Sequence, residues 1–373
     1  MSATGGFLVD RRDLATYRWG DSTDAATLLP GYALLRVQRF AFTANNITYA
    51  RVGEDLGFWN YFPAPAGWGH IPVWGFADVE QSLAPGLVNG ERVYGFFPMA
   101  SHLLVMPDRM RDTGFSDGVA HRAALPRAYN EYVRVDRLDG YDAGTADYYI
   151  VLRPLFILAF FLVEFLKEAK FFEARRVIVS SASSKAAQAL AFLLRRDEVA
   201  GIEMVGLTGK ANVAVVTSLG LYDRVLPYDR VDVLESDVPS IYVDMAGDAA
   251  TTRNIHDRVA PSLKYSASVG FTRSASENTG KRDLPGPRPE FFFTATHIAA
   301  LRQAWGAEKL HATLAAAWAS LLAYLMPRLS IQASGGRETI ERVYLDVLNG
   351  RVPPGQANVL AFAHDITELG GLR

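Results

Sequence analysis

The stretch that decides the fold is VIVSSASSKAA, residues 177–187. Its first three residues are β-branched and apolar, which predicts a buried strand. A turn of small residues follows, and the chain then enters an alanine- and leucine-rich segment that predicts a helix. The first N–H groups of such a helix have no partner within the helix, and the positive end of its dipole lies behind them. Residues 177–187 therefore predict a binding site for a phosphate or pyrophosphate group.

Small residues recur at every third position of this turn, Ser181, Ser184 and Ala187, and we expect them to take the place of the three glycines in the dinucleotide-binding fingerprint. Serine lacks the freedom of glycine at positive φ, but its hydroxyl can donate to a phosphate oxygen. Lys185 adds a positive charge. We expect Ser181, Ser183, Ser184 and Lys185 to contact a cofactor. The alternative is an ordinary helix that begins at a serine N-cap.

Strand and helix patterns alternate around this turn. Further strands are predicted at 202–207, 241–244 and 263–269, and a short extended segment at 225–228. Helices are predicted at 184–194, 210–219 and 249–259. This spacing predicts parallel βαβ units with helices on both faces of an open sheet. The expected fold class is α/β, with a Rossmann-type, doubly wound parallel sheet. A loop at 272–289, helices at 297–304, 307–324 and 338–348, and a strand at 359–362 follow.

The end of the second predicted strand points to one form of the cofactor. An NAD-selective site usually has a carboxylate here that binds the ribose hydroxyls. Residues 207–210 read LTGK instead, so Thr208 and Lys210 offer a hydroxyl and an ammonium group. These groups suit a 2′-phosphate, and we predict NADPH over NADH. The alternative for Lys210 is a solvated lysine after a strand.

The chain before residue 150 has a different texture. Strand patterns at 32–37 and 92–97 predict a β-rich, barrel-like domain, and polar residues from 109 to 130 predict an excursion over its surface. At the border, Pro154 is expected at the first position of a helix. The apolar run 155–163 has nine residues, whereas a membrane span needs about 20, so we expect a buried helix in a soluble protein.

The composition excludes several classes of protein. The chain has 373 residues, a formal net charge of −2 and no cysteine. It can therefore form no disulfide, no iron–sulfur cluster and no zinc site that needs thiolate. The absence of a basic excess argues against general nucleic-acid binding, and the first residues lack the apolar run of a signal peptide. We expect a cytoplasmic protein that binds neither nucleic acid nor membrane.

Short motifs along most of the chain resemble those of the medium-chain dehydrogenase/reductase superfamily. Residues 32–52 resemble its strand VLVRV and its active-site turn GxNxxDxY, and residues 93–96 (VYGF) resemble GDRVYGF. Further similarities are 218–228 to LGADxVINY, 243–247 to FDxVG, 266–270 to VxxG, and 347–351 with 359–360 to VLDGR…GKVVL. More narrowly, the chain resembles an uncharacterised bacterial branch of this superfamily whose reaction is not assigned.

This resemblance implies a GroES-like, β-rich catalytic domain and a Rossmann domain that binds NADP. The catalytic domain would comprise residues 1–152 and 318–373, and the Rossmann domain residues 153–317. The resemblance also implies a cleft that holds NAD(P)H, and a homodimer. Ala246, Gly247 and Gly270 lie in the matching motifs, which makes them candidate cofactor contacts.

The chain differs from the zinc-dependent members of this superfamily. These hold zinc with a cysteine, the histidine of a GHE motif and another cysteine or an aspartate. Here Ile71 follows His70, and cysteine is absent. The chain thus resembles the zinc-independent quinone and enoyl reductases, and we expect no metal. His70 either faces the cleft as a donor or is a structural histidine.

Hydride transfer without a metal needs hydrogen-bond donors that stabilise negative charge on the substrate. By the resemblance, Thr43 falls near the asparagine of the active-site turn, Asn46 at its aspartate and Tyr49 close to its tyrosine. We expect Tyr49 to be the proton donor or oxyanion partner, and Asn46 and Thr43 to position substrate and nicotinamide. The alternative for Tyr49 is a core aromatic with a satisfied hydroxyl. The aromatic-rich stretch 58–76 is either a pocket wall or core.

Two functions from different classes follow. The first is a zinc-independent, NADPH-dependent reductase that delivers hydride to an activated C=C or C=O of an apolar small molecule. Enones, quinones, enoyl thioesters and ketones are such substrates. The second is a non-catalytic dinucleotide-binding protein with an eroded active site. A methyltransferase is a weaker third, because a glycine-rich first turn and an acidic end of the second strand are missing.

Overall fold

A computed structural model describes residues 3–20, 28–197, 201–270 and 283–362. The chain divides into two compact units. Unit 1 is Met1–Arg153 with Met326–Arg373, and unit 2 is Pro154–Leu325. The second boundary lies after Leu325 and not between 317 and 318, because the helix that contains residue 318 continues to Leu325 and packs within unit 2. Its Trp318 ring lies 5.4 Å from that of Phe156.

Unit 1 is built on a large, mainly antiparallel sheet. Its strands are β1 (Ala3–Asp10), β2 (Tyr17–Trp19), β3 (Ala33–Phe42), β4 (Trp68–Gly69), β5 (Pro72–Ser82), β6 (Arg92–Pro98), β7 (Ala100–Val105), β8 (Pro107–Arg111), β9 (Gly114–Asp117), β10 (Glu131–Arg134), β17 (Ser330–Gly335) and β18 (Gln356–Ala361). The main path runs β2-β1-β7-β3-β5-β6-β10-β9-β8. The C-terminal return joins it through β18, which pairs antiparallel with β3. Among the described residues, α1 (Ala44–Arg51) and α8 (Arg337–Leu348) are helices that lie wholly within this unit.

The predicted surface excursion at 109–130 is wrong for its inner part. Arg122 and Asp117 are fully buried, and Nη1 of Arg122 lies 2.9 Å from Oδ2 of Asp117. Nε of Arg122 also donates to the carbonyl of Tyr61, and its guanidinium group lies over the ring of Phe62. The ion pair and the bonds to nearby backbone groups offset much of the cost of burying these residues, while Oδ2 of Asp117 and Nη2 of Arg122 have no hydrogen-bond partner among the described residues.

Helix α2, Ala146–Glu168, contains the first unit boundary. The prediction that Pro154 occupies its first position is wrong, because the helix begins eight residues earlier. A 3-10 turn at Ala143–Thr145, capped by Asp142, leads into it. Proline has no N–H to donate, so the helix lacks one internal hydrogen bond at Pro154. The predicted burial of 155–163 holds, apart from two half-exposed positions at 157 and 158.

Unit 2 contains a parallel sheet flanked by helices. Its strands are β11 (Arg176–Val179), β12 (Glu203–Thr208), β13 (Arg224–Pro227), β14 (Ser240–Asp244), β15 (Leu263–Ser268) and β16 (Glu290–Phe291). Its helices are α3 (Lys185–Arg196), α4 (Val213–Ser218), α5 (Ala249–Val259), α6 (Thr294–Trp305) and α7 (Ala307–Leu325). The strand order β13-β12-β11-β14-β15-β16 confirms the predicted α/β fold class. Part of the predicted loop at 272–289 lies outside the described residues.

Two helical segments are long and apolar enough to cross a membrane by length and composition, Ala143–Glu168 and Ala307–Arg328. In the first, 78% of the most apolar 18-residue window is buried within the protein, as in a core helix; in the second, 28% is buried. Alanine supplies much of the apolar character of the second. Length and composition alone therefore do not make either of them a membrane span.

Candidate functional site

The candidate cofactor site lies in unit 2, at the carboxyl ends of β11 and β14. The chain leaves β11 toward β12 on one side of the sheet, and β14 continues toward β15 on the other. In open parallel sheets, ligands bind at such a switch point, outside the carboxyl ends of the strands. The predicted phosphate-binding turn follows β11 and therefore stands at this position.

The turn between β11 and α3 contains a residue in the left-handed conformation although it has no glycine. Ser181 adopts φ +51°, a left-handed conformation that costs a non-glycine residue about 1 kcal/mol. Its N–H donates to the hydroxyl of Tyr228 at 2.9 Å, and its carbonyl accepts from the N–H of Ser184 at 2.7 Å. Ser184 is the N-cap of α3, and its hydroxyl accepts from the N–H of Ala187. The strained turn is thus held by contacts on both sides.

Three backbone donors remain at the tip of α3. Within the described part of the chain, the N–H groups of Ser183, Lys185 and Ala186 have no acceptor. Lys185 is half-buried as the first residue of the helix, and its ammonium group has no carboxylate within 4.0 Å among the described residues. Desolvation lowers the pKa of Lys185 to about 8. A cation at a helix N-terminus is unfavourable by itself, so this tip concentrates positive potential that an anion would relieve.

The end of β12 adds polar groups beside the turn. Oγ1 of Thr208 donates to Oγ of Ser183 at 3.3 Å, and Nδ2 of Asn212 lies 3.5 Å from the same oxygen. The predicted contacts Thr208 and Ser183 are therefore brought together. Lys210 is 76% exposed, and its Nζ lies 2.6 Å from Oδ2 of Asp229.

Sequence reasoning missed Asn212, Tyr228 and Asp229. Asn212 belongs to the turn that follows β12, and the other two directly follow β13. A signal was present, since every residue just after a parallel strand of one sheet emerges at the same edge. The rule covers the end of 225–228 as well as the ends of 177–179 and 202–207.

The predicted contacts Ala246 and Gly247 shape the site from within. The N–H of Ala246 donates to Oγ of Ser180 at 3.0 Å. The N–H of Gly247 donates to Oδ1 of Asp244 at 2.8 Å. Oγ of Ser180 also donates to Oδ1 of Asp244, which links the ends of β11 and β14. These two N–H groups are therefore occupied, and neither is free to bind a phosphate.

Gly270 is required by close packing. Its N–H donates to the carbonyl of Asp244 at 2.8 Å. A Cβ atom at this position would lie 2.1 Å from the backbone oxygen of Met245. Any side chain here would displace the 244–247 loop, so Gly270 preserves the path of that loop.

In unit 1, the candidate residues Thr43, Asn46 and Tyr49 all lie at helix α1. Thr43 is its N-cap, and Oδ1 of Asn46 accepts from the N–H of Thr43 at 2.8 Å in a capping box. Nδ2 of Asn46 donates to the carbonyl of Pro72 at 2.9 Å. The side chains of Thr43 and Asn46 thus begin the helix and attach it to β5. Their predicted role toward substrate stays a prediction.

Tyr49 is buried in an aromatic cluster. Its ring centroid lies 4.7 Å from that of Phe58, 5.4 Å from Phe96 and 6.4 Å from Tyr129. Its hydroxyl accepts from Nε1 of Trp74 at 3.3 Å. Burial raises the pKa of Tyr49, so the phenol stays protonated at neutral pH and keeps a proton to donate.

The remaining aromatic and histidine candidates of unit 1 are mostly core. Phe58, Trp59, Tyr61, Phe62 and Phe76 are each no more than 6% exposed. His70 is buried, and desolvation lowers its pKa to about 4. A neutral, buried histidine of this kind fits the structural alternative.

The chain is similar in fold to solved structures with which it shares little sequence identity. CurA from Vibrio vulnificus in complex with NADPH has a TM-score of 0.58 at 12% identity, covering 97% of this chain and 100% of that one. The yhdH oxidoreductase from Salmonella enterica in complex with NADP has a TM-score of 0.56 at 14% identity, with coverages of 96% and 100%. The quinone oxidoreductase from Coxiella burnetii has a TM-score of 0.52 at 13% identity, with coverages of 96% and 99%.

At these identities the similarity establishes the fold, and it confirms the predicted pairing of a β-rich domain with a Rossmann domain. No protein of curated function matches the sequence. A family model does match most of the chain, over residues 40–353. The chain belongs to that family, which is described as a protein of unknown function (DUF2855).

Proposed function

We propose that this protein is a zinc-independent, NADPH-dependent reductase that acts on an activated C=C or C=O of an apolar small molecule. The observation that carries the proposal is the tip of α3, where three N–H groups and Lys185 have no partner among the described residues. This donor set fits a pyrophosphate, because it combines directed N–H groups with a cation. The structural neighbours crystallised with NADP or NADPH support the same cofactor.

Two parts of the cofactor, the pyrophosphate and the 2′-phosphate, have candidate ligands in unit 2. Ser183, Lys185 and Ala186 would bind the pyrophosphate through N–H groups, assisted by the Lys185 ammonium group. Thr208, Lys210 and the hydroxyl of Ser183 would face the adenosine 2′-phosphate. NADPH, when bound, supplies the hydride.

We assign donation of the proton to Tyr49, because its hydroxyl accepts from Nε1 of Trp74 and keeps its own proton to donate. Its neighbours in the aromatic cluster exclude water, and this strengthens hydrogen bonds to a developing negative charge. Thr43 and Asn46 would act by holding α1, and with it Tyr49, in place.

We further propose that the protein is a cytoplasmic homodimer.

The direct test is a titration with NADPH, followed by its fluorescence, and then a panel of enones, quinones, enoyl thioesters and ketones. Consumption of NADPH with one of these classes would support the reductase. Tight binding with no turnover on the whole panel would favour the non-catalytic dinucleotide-binding protein. Absence of binding would refute both functions.

The affinity for NADPH is expected to fall as the pH rises above about 8. Lys185 is charged below its pKa of about 8, and a bound phosphate favours the charged form, so its pKa rises in the complex. Linkage then lowers the affinity by up to about tenfold per pH unit between these two pKa values. Titrations at pH 7.0 to 9.5 measure this slope. The Lys185→Gln variant should bind more weakly at pH 7 and show no such slope; identical profiles would contradict the assignment.

Replacing Tyr49 by phenylalanine is expected to lower kcat by about tenfold or more, with little change in NADPH affinity, because proton donation contributes to the chemical step alone. Single-turnover kinetics with the best substrate of the panel measures this effect. Tyr129→Phe is the matched control, since it removes a hydroxyl from the same aromatic cluster. An unchanged kcat for Tyr49→Phe would leave Tyr49 as a core residue.

A further inference from the structure

Asp229 lies beside the residues assigned to the 2′-phosphate. The segment that directly follows β12 has no acidic residue, but Asp229 reaches this position from the end of the neighbouring strand, β13. It is the second residue after β13, and its Oδ2 lies 2.6 Å from Nζ of Lys210. The preceding residue, Tyr228, accepts the N–H of Ser181 at 2.9 Å and so attaches this segment to the phosphate-binding turn. The carboxylate is therefore positioned by the same turn that would hold the dinucleotide.

The carboxylate of Asp229 is ionised at neutral pH. Its hydrogen bond with Lys210 lowers the pKa of Asp229 below its usual value. A 2′-phosphate that approaches Lys210 would meet this negative charge and would have to share the cation with it. The ribose hydroxyl of NADH carries no charge and could donate a hydrogen bond to the same carboxylate.

We propose that Asp229 is a specificity-determining residue that opposes the 2′-phosphate and makes the site accept NADH as well as NADPH. This inference rests on the proposed function. Lys210 attracts the 2′-phosphate, Asp229 repels it, and the ion pair between them sets the ratio of the two affinities. The ratio of the NADPH affinity to the NADH affinity is therefore smaller than it would be if Thr208 and Lys210 acted without Asp229.

The test compares NADPH and NADH in fluorescence titrations of the full chain. Asp229→Asn is expected to raise the affinity for NADPH about tenfold, which corresponds to about 1.4 kcal/mol. The affinity for NADH should stay equal or fall, so the NADPH/NADH affinity ratio rises. The effect should shrink at high salt, because exposed charges are screened.

Asp232→Asn is the matched control. It removes the same charge from the same 3-10 segment, but the carboxylate of Asp232 is paired with Arg230, at 3.5 Å. It should shift the ratio by less than about twofold, since Asp232 is exposed and its charge is already paired. Lys210→Ala should weaken NADPH binding more in the Asp229→Asn background than in the wild type, because the carboxylate no longer competes for the ammonium group.

The outcomes separate the two proposals. If neither dinucleotide binds the wild type, the proposed function fails and this inference with it. If both bind and the ratio is the same in Asp229→Asn, this inference alone is overturned. A thermal unfolding curve for each variant confirms that any loss of binding occurs in folded protein.

Discussion

Replacing Lys185 by glutamate is expected to abolish most of the NADPH binding while the protein remains folded. Two charges of opposite sign about 5 Å apart interact with about 3 kcal/mol at an effective dielectric constant near 20, so reversing the charge should weaken binding by at least about a hundredfold. A glutamate at the first position of α3 also suits the helix dipole, which contributes about 0.3–1 kcal/mol. Binding and stability should therefore respond differently to one substitution.

Fluorescence titration with NADPH and thermal unfolding measure the two quantities. Lys264→Glu is the matched control: it reverses an exposed lysine at the amino end of β15, on the edge of the sheet opposite the site. Its NADPH affinity should change by less than about threefold, because an exposed charge beyond the Debye length is largely screened. If Lys185→Glu binds NADPH as tightly as the wild type does, the tip of α3 is not part of the cofactor site.

Replacing Arg122 by alanine is expected to lower the free energy of unfolding of unit 1 by about 3–5 kcal/mol, because Asp117 would be left as a buried charge without its partner. The substitution also deletes the donor to the Tyr61 carbonyl at 2.9 Å and the contact with the Phe62 ring at 4.6 Å. Denaturant unfolding followed by tryptophan fluorescence measures the loss.

A double variant separates the charge from the packing. Arg122→Met with Asp117→Asn removes both charges, and the asparagine oxygen can still accept from the N–H of Met106 and Val119. It should be at least about 2 kcal/mol more stable than Arg122→Ala, since a buried pair replaced as a whole costs little. The exposed pair Arg351–Asp346 is the control, and Arg351→Ala should cost less than about 1 kcal/mol.

The pH dependence gives a second check on the buried pair. Burial raises the pKa of Asp117 even in the presence of Arg122. Without Arg122 the folded state should bind a proton at Asp117 more readily than the unfolded state does. The stability of Arg122→Ala should therefore be closer to that of the wild type at pH 5 than at pH 8. A loss that is equal at both pH values would mean that packing, not charge, stabilises this region.

The parallel sheet of unit 2 could be predicted because its signals are local. The β-branched run at 177–179, the small residues at 180–184 and the alanine-rich helix are contiguous, and each specifies its own backbone conformation. The start of α3 at a serine N-cap is also a local property, since the Ser184 hydroxyl and the Ala187 N–H are three residues apart. Such features need no knowledge of distant contacts.

The sequence could not show which partners a polar residue finds through the fold. Arg122 and Asp117 look like surface residues in the sequence, but the carbonyl that fixes Arg122 belongs to Tyr61, which is 61 positions away. Similarly, the N–H of Ala246 is occupied by Ser180, which is 66 positions away. Hydropathy reports the cost of burying a polar group and not the partners that offset it.

By itself, the sequence determined the βαβ architecture, the helix N-terminus at Lys185 and the hydroxyl-bearing turn before it, because these depend on neighbouring residues. The tertiary structure alone decided which of those donors remain free and which carboxylate stands next to Lys210. That choice depends on the β-sheet, which brings the ends of β11, β12, β13 and β14 to one edge although they are widely separated along the chain.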